Sequence, residues 1–330
     1  MTLEPTMIDR TTLVTRPLSP QLGAEVVGLD LKREIDEATR RELLRIWTEA
    51  GLILVRGVEN GEQHLRLSMV FGDPGPAATG VLNLDRDPRI MGLRQDPDDP
   101  RCRTMPVFEV HGEARAGYLG WHWDQAFMPE IVRGAALRMV ETAAIGGQTG
   151  FIDAITAWER LPQALQEQVE GLEVVYHMTI DQHRNRFGFP QGLRAARERE
   201  DAETRQAEYH RDFPQVVHPL VITQRETGRK VLKLSPMHAQ RILGLAEAES
   251  DALLHTLADH LVDGRFAYFH EWRNGDLLIW DNWRLIHSAA GVPPHVRRYA
   301  ERTTIYGDYG VGRYLDPALH GSRPRRAFMD

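Results

Sequence analysis

A histidine and an aspartate lie two residues apart at His122 and Asp124, inside the aromatic run at residues 120–127. In an extended chain the side chains of residues i and i+2 point to the same face, so these two can reach one point in space. A neutral imidazole and a carboxylate are two thirds of the 2-His-1-carboxylate set, which binds non-haem Fe(II) and leaves positions open. The spacing therefore predicts a metal site that needs one more ligand.

His287 is a candidate for that third ligand. It follows the apolar run at residues 277–280 and the polar turn Asp281-Asn282, so we predict that it lies at a strand end. The alternative is a structural histidine whose ring nitrogens are satisfied by hydrogen bonds.

Two arginines, Arg298 and Arg302, lie four residues apart in the predicted last strand and therefore face the same side. A buried guanidinium needs an anion, because an unpaired buried charge is costly, and a carboxylate is its usual bidentate partner. For either arginine alone, a protein carboxylate is the simpler explanation. Thr149 is a further candidate, because the turn at residues 146–149 brings its hydroxyl to the start of another predicted strand.

Short apolar runs between turn residues predict many strands. They lie at residues 52–55, 90–93, 135–140, 149–153, 172–178, 216–223, 230–234, 267–272, 276–280 and 298–306. Helical periodicity predicts helices at residues 36–50, 62–71, 153–170 and 247–263, the first capped by Asp36 and ended by Gly51. This pattern predicts one domain over residues 1–330, a barrel or jelly roll with helices packed outside.

Residues 181–212 differ from the rest of the chain, because they are rich in arginine and acidic side chains and poor in apolar ones. One interpretation is a solvated helix with charge pairs at i and i+4. The other is a mobile lid that closes over an active site when substrate binds.

The bulk composition excludes several classes of protein. A net charge of −7 argues against binding to nucleic acid or to an anionic membrane surface. Cys102 is the only cysteine, which excludes an internal disulfide and a thiolate zinc cluster. No apolar run is long enough to span a bilayer, so we expect a cytoplasmic protein.

Taken together, these residues resemble the TauD/TfdA family of Fe(II)- and 2-oxoglutarate-dependent oxygenases, typified by taurine dioxygenase. Residues 22–31 resemble the opening strand pair of the family, and residues 121–127 its Trp-His-x-Asp-x-x-Phe motif. Residues 146–149 resemble its Gly-Gly-Asp-Thr turn, and residues 275–302 its C-terminal block in order and spacing. The resemblance covers nearly the whole chain.

The resemblance implies an α+β fold with a mainly β core, a double-stranded β-helix (jelly roll or cupin-like) with flanking helices. It implies that Fe(II) is held by three ligands, His122, Asp124 and His287. Thr149 and Arg298 would bind the distal carboxylate of the cosubstrate 2-oxoglutarate, and O2 would use the last open position. The reaction would hydroxylate a small organic anion and release succinate and CO2. Family members are often homodimers or homotetramers, and we expect a homo-oligomer.

The resemblance also implies that Arg302 binds the anionic group of the substrate, a carboxylate or sulfonate. Trp123 occupies a position where the family commonly has threonine, and Tyr118 occupies a position that faces substrate in taurine dioxygenase. Together with Phe127, these two predict an aromatic substrate pocket, which argues against taurine. For Trp123 and Phe127 the alternative is packing in the core.

Two other functions are compatible with the sequence. The first is a metal-dependent hydrolase that uses the same His/Asp/His site with Zn(II), in which Arg298 and Thr149 would have no role. The second is a non-catalytic β-helix protein that binds a small anion.

Overall fold

A computed structural model of the chain describes residues 13–75, 78, 87–180 and 182–320. Residues 1–12, 76, 77, 79–86, 181 and 321–330 lie outside the described part. The two ends of the domain predicted for residues 1–330, and the first residue of the charged segment at 181–212, therefore also lie outside it.

Short strands make up most of the ordered elements. In chain order they are β1 (Val14–Pro17), β2 (Ala24–Val27), β3 (Leu52–Val55), β4 (Asp73–Gly75), β5 (Met91–Gln95), β6 (Val107–Val110), β7 (Glu113–Ala116), β8 (Leu119–His122), β9 (Gly134–Glu141), β10 (Thr149–Asp153), β11 (Glu173–Tyr176), β12 (Arg194–Arg197), β13 (Val216–Pro219), β14 (Val221–Thr223), β15 (Lys230–Leu232), β16 (Ala239–Ile242), β17 (Tyr268–His270), β18 (Leu277–Asp281), β19 (Leu285–Ala289), β20 (Arg298–Tyr306) and β21 (Arg313–Tyr314).

Helices are fewer and flank the strands. They are α1 (Glu37–Ala50), α2 (Gly61–Ser68), α3 (Pro100–Arg103), α4 (Ala154–Arg160), α5 (Gln163–Val169), α6 (Ala202–Asp212) and α7 (Glu247–Leu261), with short 3-10 turns at Gln182–Arg184, Gly264–Phe266 and Pro317–Leu319. Helix α1 begins and ends as predicted: Asp36 accepts a hydrogen bond from Thr39 N, and Gly51 ends the helix with a left-handed φ of 73°.

Two sheets form the centre of the molecule. The larger has the order β1-β2-β3-β18-β9-β20-β4, with β5 also paired to β20, and the smaller has the order β17-β10-β19-β8. They pack face to face, because Leu278 and Trp280 of the larger sheet share one buried cluster with Phe151 and Leu285 of the smaller. The chain is thus strand-rich with flanking helices, as predicted. Among the described residues, no helix is both long and apolar enough to cross a membrane.

Local differences from the predicted elements have local causes. The hairpin of β6 and β7 was not predicted. Its two-residue loop is His111-Gly112, and both residues have positive φ, 51° and 82°. Such a loop is typical of a tight hairpin, but its usual sequence signal is Asn-Gly or Asp-Gly. Helix α2 ends at Ser68, shorter than the helix predicted to residue 71.

The charged segment is not one continuous helix. Strand β12 pairs with β6, and only the last third of the segment, α6, forms an α-helix. Helix α6 carries the expected kind of charge pair at its start, where Arg205 Nε lies 2.8 Å from Asp201 Oδ2. The segment therefore extends the small sheet of β6 and β7 before it forms a helix.

Candidate active site

Strands β8 and β19 are neighbours, and their register brings the predicted metal ligands together. His122 lies opposite His287, and Asp124 lies two residues beyond the end of β8. Nε2 of His287 is 3.5 Å, and Nε2 of His122 is 3.9 Å, from Oδ1 of Asp124. All three residues are buried, and their ligand atoms lie within 4.8 Å of one another.

The position of His287 within its strand corrects one prediction. It lies in the middle of β19 and not at a strand end. The turn after β18 is short, so that the next strand has already begun at Leu285. The ligand is therefore held from both sides, by β10 and by β8.

The protonation states suit a metal site. Burial lowers the pKa of His122 well below its ordinary value, so its ring is neutral. Its Nδ1 lies 2.7 Å from the carbonyl oxygen of Gly120 and donates to it, which leaves Nε2 unprotonated and turned towards Asp124. Neutral imidazole and ionised carboxylate are the forms that bind metal.

Asp124 is ionised and fixed in position. Burial would raise the pKa of its carboxyl, but the charge of Arg302 and the neighbouring His287 hold that pKa well below its ordinary value. Nη2 of Arg302 is 2.6 Å from Oδ2. Asn282 fixes the main chain, since its Oδ1 accepts from Asp124 N at 2.7 Å and its Nδ2 donates to Asp124 O at 3.2 Å.

Arg298 lies in the same cavity and has the properties of an anion site. Its Nε is buried without a hydrogen-bond acceptor in the described part of the chain, and burial lowers its pKa to about 10, so it is still charged at neutral pH. A Cβ added at Gly147 would come within 3.3 Å of that Nε; the glycine lets the guanidinium lie against the turn at residues 146–149. Thr149 lines the same cavity and accepts from Trp272 Nε1 at 3.2 Å.

The cavity has a volume of about 400 Å3 and is lined by both polar and apolar side chains. Its polar lining includes the three candidate metal ligands, Thr149, Arg298 and Arg302. Its apolar wall includes Leu93, Met105, Pro106, Phe108, Tyr118 and Val292. Burial raises the pKa of Tyr118 to about 12, so its phenol is neutral. Tyr118 thus lines the cavity, and its contact with substrate stays a prediction.

Trp123 and Phe127 do not line this cavity, which corrects their predicted place in the pocket. Trp123 is fully buried and packs edge-on against Tyr176 and His218. Phe127 packs against Phe213 and His238, with ring centroids 5.1 and 5.2 Å away. For Trp123 the reason is alternation: His122 and Asp124 face the cavity, so the side chain between them faces the opposite way. Both residues therefore pack in the core, which was the alternative to a place in the substrate pocket.

Gln182 is a cavity residue that the sequence did not single out. It belongs to the charged segment, yet it is only 6% exposed and lines the cavity beside Tyr118. Its side chain hydrogen-bonds to the main chain of the strand that carries His122. A single glutamine among arginines and acids has no sequence spacing that could have marked it as a cavity residue.

Comparison with known proteins gives the family. Residues 15–304 match the family described as "Taurine catabolism dioxygenase TauD, TfdA family", and the chain belongs to this family. It is 31% identical over 293 residues to the (S)-phenoxypropionate/alpha-ketoglutarate-dioxygenase of Sphingobium herbicidovorans, with 88% of this chain and 94% of the relative covered. It is 29% identical over 305 residues to the alpha-ketoglutarate-dependent 2,4-dichlorophenoxyacetate dioxygenase of Cupriavidus pinatubonensis, with 90% and 99% covered.

A solved structure agrees. The crystal structure of a taurine dioxygenase from Burkholderia xenovorans superposes with a TM-score of 0.67 and 26% identity over 90% of this chain and 92% of the other. The chain is therefore a 2-oxoglutarate-dependent dioxygenase, as the sequence predicted. Membership of this class excludes both alternatives, the metal-dependent hydrolase and the non-catalytic anion-binding protein.

Proposed function

We propose that this protein is an Fe(II)- and 2-oxoglutarate-dependent oxygenase that hydroxylates a small organic anion with an apolar body. One observation carries the proposal. A single cavity combines a buried His/Asp/His cluster, an arginine whose Nε has no acceptor in the described chain, and an apolar wall. We also propose that the two face-to-face sheets are the halves of a double-stranded β-helix.

His122, Asp124 and His287 are the proposed ligands of Fe(II), and their donor set supports this role because two imidazoles and one carboxylate leave positions open. When bound, Fe(II) and 2-oxoglutarate supply an oxidant, as 2-oxoglutarate is decarboxylated to succinate and CO2 and one atom of O2 enters a C–H bond. The protein residues orient these partners and exclude water from the cavity.

Arg298 and Thr149 are the proposed partners of the distal carboxylate of 2-oxoglutarate. A guanidinium can donate two parallel hydrogen bonds to a carboxylate, and the threonine hydroxyl can donate a third. The buried Nε of Arg298 lacks an acceptor in the described chain, so a bound carboxylate would satisfy a group that is otherwise costly to bury.

Arg302 is the proposed partner of the substrate anion, and Tyr118 and Phe108 of its apolar body. Nη2 of Arg302 lies against Asp124, but a guanidinium has five N–H donors and can serve two anions. The two relatives described above are named for a phenoxypropionate and a dichlorophenoxyacetate. The aromatic wall of this cavity supports an aryl-substituted carboxylate as the first substrate class to test, ahead of a small sulfonate such as taurine.

A binding experiment tests the metal and cosubstrate. Fe(II) and 2-oxoglutarate are added to the metal-free protein without O2, and the visible charge-transfer band of the chelate is recorded. The wild type should show the band, and Asp124→Ala should abolish it. Asp259→Ala is the control, because this aspartate is exposed on helix α7. A folded wild-type protein without the band contradicts the proposal.

Substrate class is tested by succinate release in the presence of O2. The panel contains phenoxypropionate, 2,4-dichlorophenoxyacetate, a linear alkyl sulfate and taurine. The proposal expects the aryl carboxylates to stimulate succinate release most, and a preference for taurine contradicts the assigned role of the apolar wall. The homo-oligomer, a dimer or tetramer, stays a prediction, and light scattering would measure the oligomeric state.

A further inference from the structure

Strand β8 carries the metal ligand His122 and is the last strand of the smaller sheet. Its pairing with β19 is irregular, with a register shift between His287 and Ala289. The main-chain groups on the outer side of such a strand need other partners, because an edge leaves N–H and C=O groups unpaired.

Gln182 satisfies two of these groups with one side chain. Its Nε2 donates to Tyr118 O at 2.8 Å, and its Oε1 accepts from Gly120 N at 2.7 Å. A C=O and an N–H two residues apart are the pair that one residue of a neighbouring parallel strand would bind. The amide of Gln182 therefore replaces a strand residue on this edge of β8.

Gly120 connects this amide to the ligand. Its N–H is held by Gln182, and its carbonyl oxygen accepts from Nδ1 of His122 at 2.7 Å. The hydrogen bond to Nδ1 sets both the tautomer and the orientation of the imidazole. A shift of Gly120 would therefore rotate Nε2 of His122 away from Asp124.

A second contact from the same segment covers the same glycine. A Cβ added at Gly120 would come within 2.4 Å of the Phe189 ring, so only glycine permits this close packing. Gln182 and Phe189 thus both contact Gly120, the first by a hydrogen bond and the second by packing.

We propose that Gln182 is a positioning residue for the metal centre: its side-chain amide orders β8 and, through Gly120, orients His122. It also links the placement of the segment after residue 182 to the metal site. The inference rests on the proposed function for the role of His122 as a metal ligand.

The test compares two glutamines that make the same pair of bonds. Gln206 on α6 donates to Met178 O at 2.7 Å and accepts from Ile180 N at 3.0 Å, but its partners do not carry a metal ligand. Gln182→Met and Gln206→Met keep the length of the side chain and remove the amide. Mn(II) alone is titrated into each metal-free variant by calorimetry, and the melting temperature of each is measured.

Gln182→Met should weaken Mn(II) binding about 10-fold, the usual order for loss of a group that orients a metal ligand. It should also speed hydrogen exchange of the amides at residues 118–122. Gln206→Met should change neither, although both variants should lose thermal stability. Equal Mn(II) affinities in the two variants would overturn the proposal, since a merely structural role predicts that result.

A measurement on the wild type decides the question if Gln182→Met does not fold. Linkage is reciprocal, so a residue that strengthens metal binding must itself be held more firmly when metal binds. Mn(II) should therefore slow hydrogen exchange at residues 182–189 as well as at 118–122, and protection confined to 118–122 overturns the proposal. Neither measurement needs 2-oxoglutarate, so each tests Gln182 independently of the proposed function. A wild-type protein that binds Mn(II) but shows no charge-transfer band would contradict the proposed function, and the Mn(II) affinities and hydrogen exchange would still decide the role of Gln182.

Discussion

The two oxygens of Asp124 have different neighbours, and this difference organises the candidate metal site. Oδ2 lies against Nη2 of Arg302, whereas Oδ1 is the oxygen that both histidine Nε2 atoms approach. Arg302 thereby offsets the carboxylate charge and leaves one oxygen for a metal ion. The positive charge of the Arg302 guanidinium also explains how the buried Asp124 carboxylate stays ionised.

Arg298→Met tests the cosubstrate site. Removal of a charge-assisted hydrogen bond costs about 1.5–3 kcal/mol, so KM for 2-oxoglutarate should rise roughly 10- to 100-fold. Mn(II) affinity should stay within about twofold, because Arg298 does not contact a proposed metal ligand. Arg297→Met is the control, since Arg297 is half-exposed and pairs with Asp98 at the surface. An unchanged KM would show that another group binds the distal carboxylate.

Arg302→Met tests the substrate anion. Wild-type enzyme should prefer an aryl carboxylate to its neutral methyl ester, and the variant should lose at least about tenfold of that preference. The ratio of kcat/KM for acid and ester is the measurement, because it cancels any loss of metal affinity that follows from the contact of Arg302 with Asp124. If the ratio does not change, Arg302 acts on Asp124 alone.

At the scale of elements, strand β12 and helix α6 of the segment at residues 182–212 have few buried residues. Ala202 is the only buried residue of α6, and β12 lies at the edge of a three-stranded sheet with β6 and β7. Its hydrogen bonds are mostly exposed, such as those from Arg197 to Met105 O. Segments of this kind open at low free-energy cost, as a lid requires.

Limited proteolysis tests whether this segment is a lid. Trypsin should cleave within residues 194–205, which contain several arginines, and Mn(II), 2-oxoglutarate and substrate together should slow that cleavage at least severalfold. Cleavage is followed by mass spectrometry, with the partly exposed Arg229 in the loop between β14 and β15 as an internal reference. Equal slowing at both sites, or no slowing, contradicts closure of the segment.

At the level of the whole molecule, buried charges lie behind the site as well as within it. Arg133 pairs with Asp281, and Arg138 pairs with Glu301. Lys233 is 2% exposed, donates to Asn282 O and lies 4.3 Å over the Trp123 ring. Asn282 in turn holds the main chain of Asp124, so the packing of the core and the geometry of the ligands are connected.

Lys233 predicts a pH dependence of stability. Burial lowers its pKa from 10.5 to about 7 in the folded protein. Below pH 7 both states carry the proton. Between pH 7 and 10.5 the unfolded chain keeps it while the folded protein loses it, so stability rises with pH, by at most about 1.4 kcal/mol per pH unit.

The measurement is urea unfolding of the wild type and Lys233→Met at pH 7 and pH 9. The free energy of unfolding of the wild type should gain about 2 kcal/mol relative to the variant over this interval. Lys230→Met is the control, because Lys230 is more exposed and pairs with Glu170 at the surface. Parallel pH profiles for wild type and Lys233→Met would mean that the lysine is not titrating in this range.

The sequence by itself determined the parts that depend on spacing along one strand or helix. His122 and Asp124 share a face because strand side chains alternate, and Asp36 and Gly51 bound a helix because their backbone chemistry is local. His287, Arg298 and Thr149 were candidates from their local sequence, and the resemblance to a known family gave them their predicted roles; the structure brings them to one cavity.

Only the tertiary structure decided which distant residues meet. It placed Trp123 and Phe127 in the core, paired Arg302 with Asp124, brought Phe108 of the unpredicted β6–β7 hairpin to the cavity wall, and brought Gln182 to the edge of β8. Each of these contacts depends on which segments, far apart in the chain, become neighbours in the fold. Local periodicity indicates that a residue is buried, but packing between sheets determines what it is buried against.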